Sequence, residues 1–154
     1  MSNCEPMDIL LIEDNPGDIR LLEKALTKMT IKYNLEVITD GEEAIDYLQD
    51  KAAKSDPVIS PDFIILDLNL PRQSGGDVLQ TIKNHPKLLH IPVMILTSSE
   101  SQKDILACYQ AHANSYVVKP MNINEFFSIT QSIENFWFKS NQSPTSTWKL
   151  GGGN

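Results

Sequence analysis

Glu13 and Asp14 close the apolar run Asp8-Ile9-Leu10-Leu11-Ile12, and Asp67 closes a second, Phe63-Ile64-Ile65-Leu66. A third run, Val93-Met94-Ile95-Leu96, ends in Thr97, and a fourth, Tyr116-Val117-Val118, ends in Lys119-Pro120. An acid pair, an acid, a hydroxyl and an amine thus each follow a strand-like segment. If those segments are neighbouring parallel strands, all of these groups meet at one edge of one sheet. Such a set suits an aspartate that receives a phosphoryl group beside a divalent metal. A carboxylate approaching an anionic phosphoryl group needs positive charge nearby, and a hard cation with oxygen ligands supplies it. Asp14 and Asp67 are expected to ligate Mg²⁺, or Mn²⁺ in its place, with Glu13 holding a metal-bound water. Backbone oxygen near Asn69 completes the expected ligand set. Lys119 is a compact cation suited to pair with Asp67 and then with the transferred group. Thr97 offers a hydroxyl to a phosphoryl oxygen, so catalysis here is positioning and charge neutralisation.

Taken singly, each of these residues has an ordinary explanation. An acid or threonine after a strand is usually a helix cap or a solvated turn, and a lone lysine is usually solvated. The four complementary groups at four strand ends are not explained by caps. Three crowded acids would also repel one another without a cation.

Positioning them requires alternating strands and helices. Strands are expected at Asp8–Glu13, Leu35–Thr39, Asp62–Asp67, Pro92–Thr97 and Ser115–Val118. Helices are expected over about Pro16–Thr30, Gly41–Lys51, Gly76–Asn84, Ser101–His112 and Ile123–Phe138. In the first helix Ile19, Leu22, Leu26 and Met29 fall on one face, and Asn15-Pro16 is a helix-start signal. The third and fourth strands are nearly all apolar, as central parallel strands covered on both faces should be. Five βα units in succession imply an α/β fold, a single doubly wound parallel sheet of flavodoxin-like order 2-1-3-4-5, with chemistry at the carboxyl ends of the strands. Ala52–Pro61 reads as a polar loop.

The 154 residues, 41% of them hydrophobic, suit one core. A formal charge of −7 argues against nucleic acid as a partner. No stretch approaches the ~20 apolar residues of a membrane span, and no signal peptide opens the chain, so a cytoplasmic location is expected. Cys4 and Cys108 read as reduced thiols. His85, His90 and His112 show no metal-ligand spacing.

Together Glu13-Asp14, Leu66-Asp67-Leu68-Asn69-Leu70-Pro71 through Gly75, Thr97-Ser98-Ser99 and Tyr116-Val117-Val118-Lys119-Pro120 closely resemble the response-regulator receiver domains of two-component signalling. The resemblance implies that Asp67 is the phosphorylated residue, that Asp14 binds metal with Glu13 in support, that Lys119 and Thr97 contact the phosphoryl group, and that Tyr116 moves with Thr97 as a switch. It implies a phosphoacceptor served by a histidine kinase rather than an enzyme. A narrower similarity, carried by Glu13-Asp14-Asn15-Pro16-Gly17-Asp18, His112-Ala113-Asn114-Ser115-Tyr116 and Ile133-Glu134-Asn135-Phe136-Trp137, is to the stand-alone receivers that serve bacterial phytochromes. The receiver is expected over residues 5–139, with a mobile tail over 140–154 and no output domain. Asp18 reads as an acid in the first helical turn, which favours negative charge, with an extra site acid as the alternative.

Two other aspartyl or flavodoxin-like readings fit less well. A haloacid-dehalogenase-type phosphatase wants an acid two residues after the nucleophile, where Asn69 stands. A flavin-binding module wants a Gly/Ser/Thr-rich cradle after the first strand, and that loop is acidic. In the last helix Phe126, Ile129, Ile133, Phe136 and Trp137 should face the sheet. Phe127 and Phe138 fall beside that stripe and are expected to form an apolar patch for a homodimer or kinase contact.

Overall fold

The structure is a computed structural model and describes residues 6–54 and 61–140. Strands β1 (Met7–Ile12), β2 (Tyr33–Ile38), β3 (Phe63–Leu66), β4 (Val93–Thr97) and β5 (Ser115–Val118) form one parallel sheet of order β2-β1-β3-β4-β5. Helices α1 (Pro16–Leu26), α2 (Gly41–Ala52), α3 (Gly75–Lys83), α4 (Gln102–Gln110) and α5 (Ile123–Ile133) alternate with them. The fold expected from the sequence is the fold observed.

Alternation along the central strands divides the core. Leu10, Ile12, Ile64, Leu66, Val93 and Ile95 point to the face covered by α2, α3 and α4, where they meet Leu48, Val78 and Ile82. Ile9, Leu11, Phe63, Ile65, Met94 and Leu96 point to the other face, against Leu22 and Leu26 of α1 and Phe126 and Ile133 of α5. Burial on both faces removes nearly all of this apolar surface from water, at about 25 cal/mol per Å².

Each helix starts where a short polar side chain caps its first turn. Asn15, Asp40, Ser74, Ser101 and Asn122 accept the backbone N–H of Asp18, Glu43, Asp77, Asp104 and Glu125, respectively. At α3 the pairing is reciprocal, Asp77 reaching back to the Ser74 N–H. Gly75 is required by close approach: a Cβ there would overlap the Asp67 carbonyl oxygen and Leu68 Cα. The Gly75 N–H donates to Leu68 O at 2.9 Å, folding the β3–α3 loop tightly behind Asp67. At the far end of α4, His112 adopts φ 73°, the left-handed conformation that terminates many helices.

Two helix ends differ most from expectation, and one residue, Glu134, bridges them. α1 stops at Leu26 instead of continuing to Thr30, and the last helix changes at Glu134 into a π-helical segment, Glu134–Ser140. Glu134 is 5% exposed, and its Oε2 accepts from Thr30 N (2.7 Å), Thr30 Oγ1 (2.8 Å) and Ile31 N (2.9 Å). The backbone donors just past α1 are thereby occupied from across the interface.

The wider i→i+5 turn of the π segment also changes which rings are buried. Trp137 and Phe138 both pack on Phe63, with ring centroids 5.7 and 5.5 Å away. The patch expected of Phe127 and Phe138 is therefore corrected. Both are half-buried against the α1–α5 core, Phe127 with the Lys28 ammonium 5.9 Å from its ring centroid. Phe136, expected to face the sheet, is 58% exposed. Cys108 is a buried free thiol whose pKa burial pushes up, while Cys4 and the tail beyond Ser140 lie outside the described residues.

Burial alone would raise the pKa of Glu134, but the bonds from Thr30 and Ile31 outweigh it and hold the carboxyl below its ordinary value. The folded state therefore binds this proton less readily than the unfolded chain does. The Glu134 contribution is complete above the ordinary glutamate pKa and is lost as pH falls through the folded one. Glu134→Ala should lower stability by roughly 2–3 kcal/mol in urea denaturation at neutral pH. Glu134→Gln should flatten the acid-side loss of stability. A Glu134→Ala midpoint equal to wild type would contradict this account.

Candidate phosphoacceptor and metal site

Sheet register brings the strand-end residues together. Ile12 pairs with Leu66, so Glu13 and Asp67 emerge side by side, and the Asp67 N–H donates to Ile12 O at 3.0 Å. Thr97 pairs with Val118, so Lys119 follows at the next rung, its N–H donating to Thr97 O at 2.7 Å. Glu13, Asp67 and Thr97 are buried, and Asp14 is exposed.

Glu13, Asp14 and Asp67 each offer a carboxylate oxygen within 4.8 Å of the other two. Two like charges at ~4 Å cost about 1 kcal/mol in water and more when partly buried. Lys119 offsets part of that repulsion. Its Nζ lies 2.8 Å from Asp18 Oδ2, 2.9 Å from Glu13 Oε1 and 3.2 Å from Asp67 Oδ2. Burial disfavours the ammonium form, but hydrogen bonds to Asp18 and Glu13 and the charge of Asp67 more than compensate, so its pKa is raised. Glu13 responds oppositely. Desolvation dominates, with the Asp67 charge adding to it against the bonds from Lys119 and the Asn15 N–H, and its carboxyl is pushed up to about 7.

Two buried oxygens at this edge have no hydrogen-bond partner among the described residues, Asp67 Oδ1 and Thr97 Oγ1. Buried polar atoms are rarely left this way unless another group completes them. An orphaned carboxylate oxygen beside two further acids fits a hard divalent cation, which takes one or two carboxylates with water and phosphate oxygens. Glu13, Asp14 and Asp67 would hold it, and it would supply the charge that lets a phosphoryl group approach Asp67. Asn69 stands exposed in the loop just beyond Asp67. Tyr116 is half-buried on β5, packs against the α2–α4 core and donates its hydroxyl to Ser99 O at 2.9 Å. Ser99 in turn donates to Asp104 at 2.6 Å.

Asp18 fills both of the roles weighed for it, the first-turn acid of α1 and an extra acid at the site. Its backbone N–H is capped by Asn15, as expected of a first-turn acid, but its side chain reaches Lys119. Helix geometry permits that contact. Side chains of a helix tilt toward its N-terminus, so an acid at the third position of α1 leans back over the strand ends.

The family model for the response regulator receiver domain matches residues 9–131. Response regulator Rcp1 of Synechocystis sp. is 38% identical over 141 residues, covering 92% of this chain and 95% of that protein. The crystal structure of the phosphorylated cyanobacterial phytochrome response regulator RcpA superposes with a TM-score of 0.82 at 39% identity, over 91% of this chain and 99% of that one. The Mn²⁺-bound form of Rcp1 gives 0.80 at 39% identity, over 90% and 99%.

Cation binding should stabilise the fold. Mg²⁺ at 100 times its dissociation constant contributes about 2.7 kcal/mol, which for a domain of this size raises Tm on the order of 5–10 °C. Asp14→Asn should reduce that rise and stabilise the metal-free protein by relieving repulsion. Equal Mg²⁺ responses in thermal melts of the two proteins would contradict the ligand assignment.

Proposed function

The chain belongs to the response-regulator receiver family, and from that premise we propose that it accepts a phosphoryl group on Asp67 from a histidine kinase, in a Mg²⁺- or Mn²⁺-dependent reaction in the cytoplasm. The observation that carries the proposal is the buried Asp67 carboxylate, grouped with Glu13 and Asp14, in contact with Lys119 and with one oxygen unpartnered. Asp67 attacks phosphorus, an O–P bond forms, and the donor's P–N bond breaks with its electron pair leaving on the histidine. Lys119 holds the transferred group by charge, Thr97 donates its hydroxyl to a phosphoryl oxygen, and backbone near Asn69 completes the metal ligands. A phytochrome-class kinase is proposed as donor because RcpA, at 39% identity, is a phytochrome response regulator.

Output is proposed to leave by the face of α4, β5 and α5. When Thr97 turns toward the phosphoryl group, space opens beside it for the Tyr116 ring, whose present anchor is Ser99 O. The same face carries an apolar groove of about 400 Å³ lined by Met94, Val117, Ile129, Ile133 and Trp137, with Phe136 at its rim. Protruding ring and groove on one surface are self-complementary, which suits an isologous contact with a second copy of the chain.

Asp67→Asn should abolish uptake of phosphate from acetyl phosphate or a kinase, read as a mass shift; normal labelling would remove the assignment. Thr97→Ala should still be phosphorylated but lose most acetyl-phosphate-driven chemical-shift changes at Tyr116 and along α4 and α5; unaltered changes would end the coupling model. For the dimer, Phe136→Asp should lower self-association in sedimentation, and a wild-type chain that stays monomeric at high concentration when phosphorylated would refute it.

A further inference from the structure

Among the described residues Glu13, Asp14 and Asp67 are the acids grouped to hold a cation and Asp18 lies outside that group, yet it makes the shortest of the three contacts to Lys119, 2.8 Å against 2.9 Å to Glu13 and 3.2 Å to Asp67. An ammonium group has three N–H donors and no more. Three carboxylate oxygens crowd it here, with hydrogen bonds to Asp18 and Asp67 and an ion pair to Glu13, so a phosphoryl oxygen must compete with them. The Lys119 side chain is 13% exposed, which keeps water from substituting for a lost partner and makes the competition among the acids effective. Asp18 is also fixed independently of the sheet. Its backbone is held in the first turn of α1 by Asn15, whereas Glu13 and Asp67 follow β1 and β3 directly.

We propose that Asp18 is a positioning residue that competes with Asp67 and the incoming phosphoryl group for Lys119, and so slows phosphorylation of Asp67. This rests on the acceptor reading above. A cation held by Glu13, Asp14 and Asp67 neutralises those acids, but the Asp18 charge stays with Lys119. While the ammonium is shared with Asp18, less of its field acts on the phosphoryl oxygens. A second consequence is repulsion, because the Asp18 carboxylate presents negative charge toward an anionic donor on the α1 side of the site. Both effects point the same way. Removing the charge of Asp18 releases Lys119 toward Asp67 and lowers the barrier to transfer.

The test uses the full chain, acetyl phosphate and saturating Mg²⁺. In that reaction Asp67 attacks phosphorus, an O–P bond forms, and acetate leaves with the electrons of the broken bond. The second-order rate constant for Asp18→Asn should exceed wild type by 3- to 10-fold, and Asp18→Glu should return it to within twofold of wild type. Glu23→Gln removes one acid from the same helix at an exposed position away from Lys119 and should leave the rate within twofold of wild type. In a Lys119→Ala background the Asp18→Asn acceleration should vanish, because the two residues are coupled through one contact. The Mg²⁺-induced rise in Tm should survive in Asp18→Asn, unlike in Asp14→Asn. An Asp18→Asn rate equal to or below wild type overturns the proposal. So does an equal acceleration from Glu23→Gln, or one that persists undiminished without Lys119. A wild-type chain that takes up no phosphate overturns the acceptor reading itself, whereas wild-type labelling with an unaccelerated Asp18→Asn overturns only the role of Asp18.

Discussion

One ammonium group shared among three carboxylates is the interaction on which this site depends. Without Lys119, Glu13 and Asp67 would be buried acids with no cation among the described residues beside them, and burying an unpaired charge is among the more expensive things a fold can do. The raised pKa of Glu13 records that tension even with Lys119 present. The rest of the architecture supplies the two conditions under which one lysine suffices. Parallel pairing places β1, β3 and β5 so that their ends project from the same edge. The hydrogen bond from Lys119 N to Thr97 O then fixes where the lysine leaves the sheet.

Helix capping is what keeps the acids at that edge. Each βα connection ends in a polar side chain that receives a free N–H of the next helix's first turn. Asn15 therefore governs two things. It starts α1, and it sets the turn that carries Glu13, Asp14 and Asp18 past the end of β1. Arg72 performs a similar function on the other side of Asp67. It sits at φ 68° in the β3–α3 loop and pairs with Asp40, the cap of α2, at 2.7 Å. The loop behind Asp67 is thus tied to a second helix N-terminus while the Gly75 backbone presses against it.

The apolar runs and the chemistry at their ends were legible because both are local. Strand β3 is four consecutive apolar residues followed by Asp67, and nothing distant is needed to read it. The cap at Asn15 is likewise written within a few residues. What escaped depends on contacts between distant segments. Glu134 and Thr30 are separated by 104 positions, so neither the early end of α1 nor the π turn could be read from either helix alone. A regular 100° helical wheel then misassigned Phe136 and Phe138, because the wheel stops applying at Glu134. Asp18 shows a related limit: its local role as a first-turn acid is real, and nothing local decides whether it also serves the site. Its contact with Lys119, 101 positions away, appears only when α1 is laid against the end of β5.

The unpartnered hydroxyl of Thr97 sets the scale of the proposed switch. A buried hydroxyl without a partner costs about 1–3 kcal/mol, and in the resting arrangement that cost is present. Any state that offers Thr97 an acceptor recovers it, so a phosphoryl oxygen beside Asp67 favours the turned Thr97 by that amount at most. Such a difference shifts a two-state equilibrium by about 5- to 150-fold. Against it stand the Tyr116–Ser99 bond and the packing of the Tyr116 ring on the core, which must be remade if the ring moves. The two sides are of similar size, because a single neutral hydrogen bond is worth about 1 kcal/mol net. A switch with this balance does not lock. The proposed switch would populate both arrangements and respond to small additions on either side, including the contact energy of a partner on the α4–β5–α5 face. Linkage then requires the reverse effect: a partner that prefers the turned state of Thr97 must also favour phosphorylated Asp67 by the same factor.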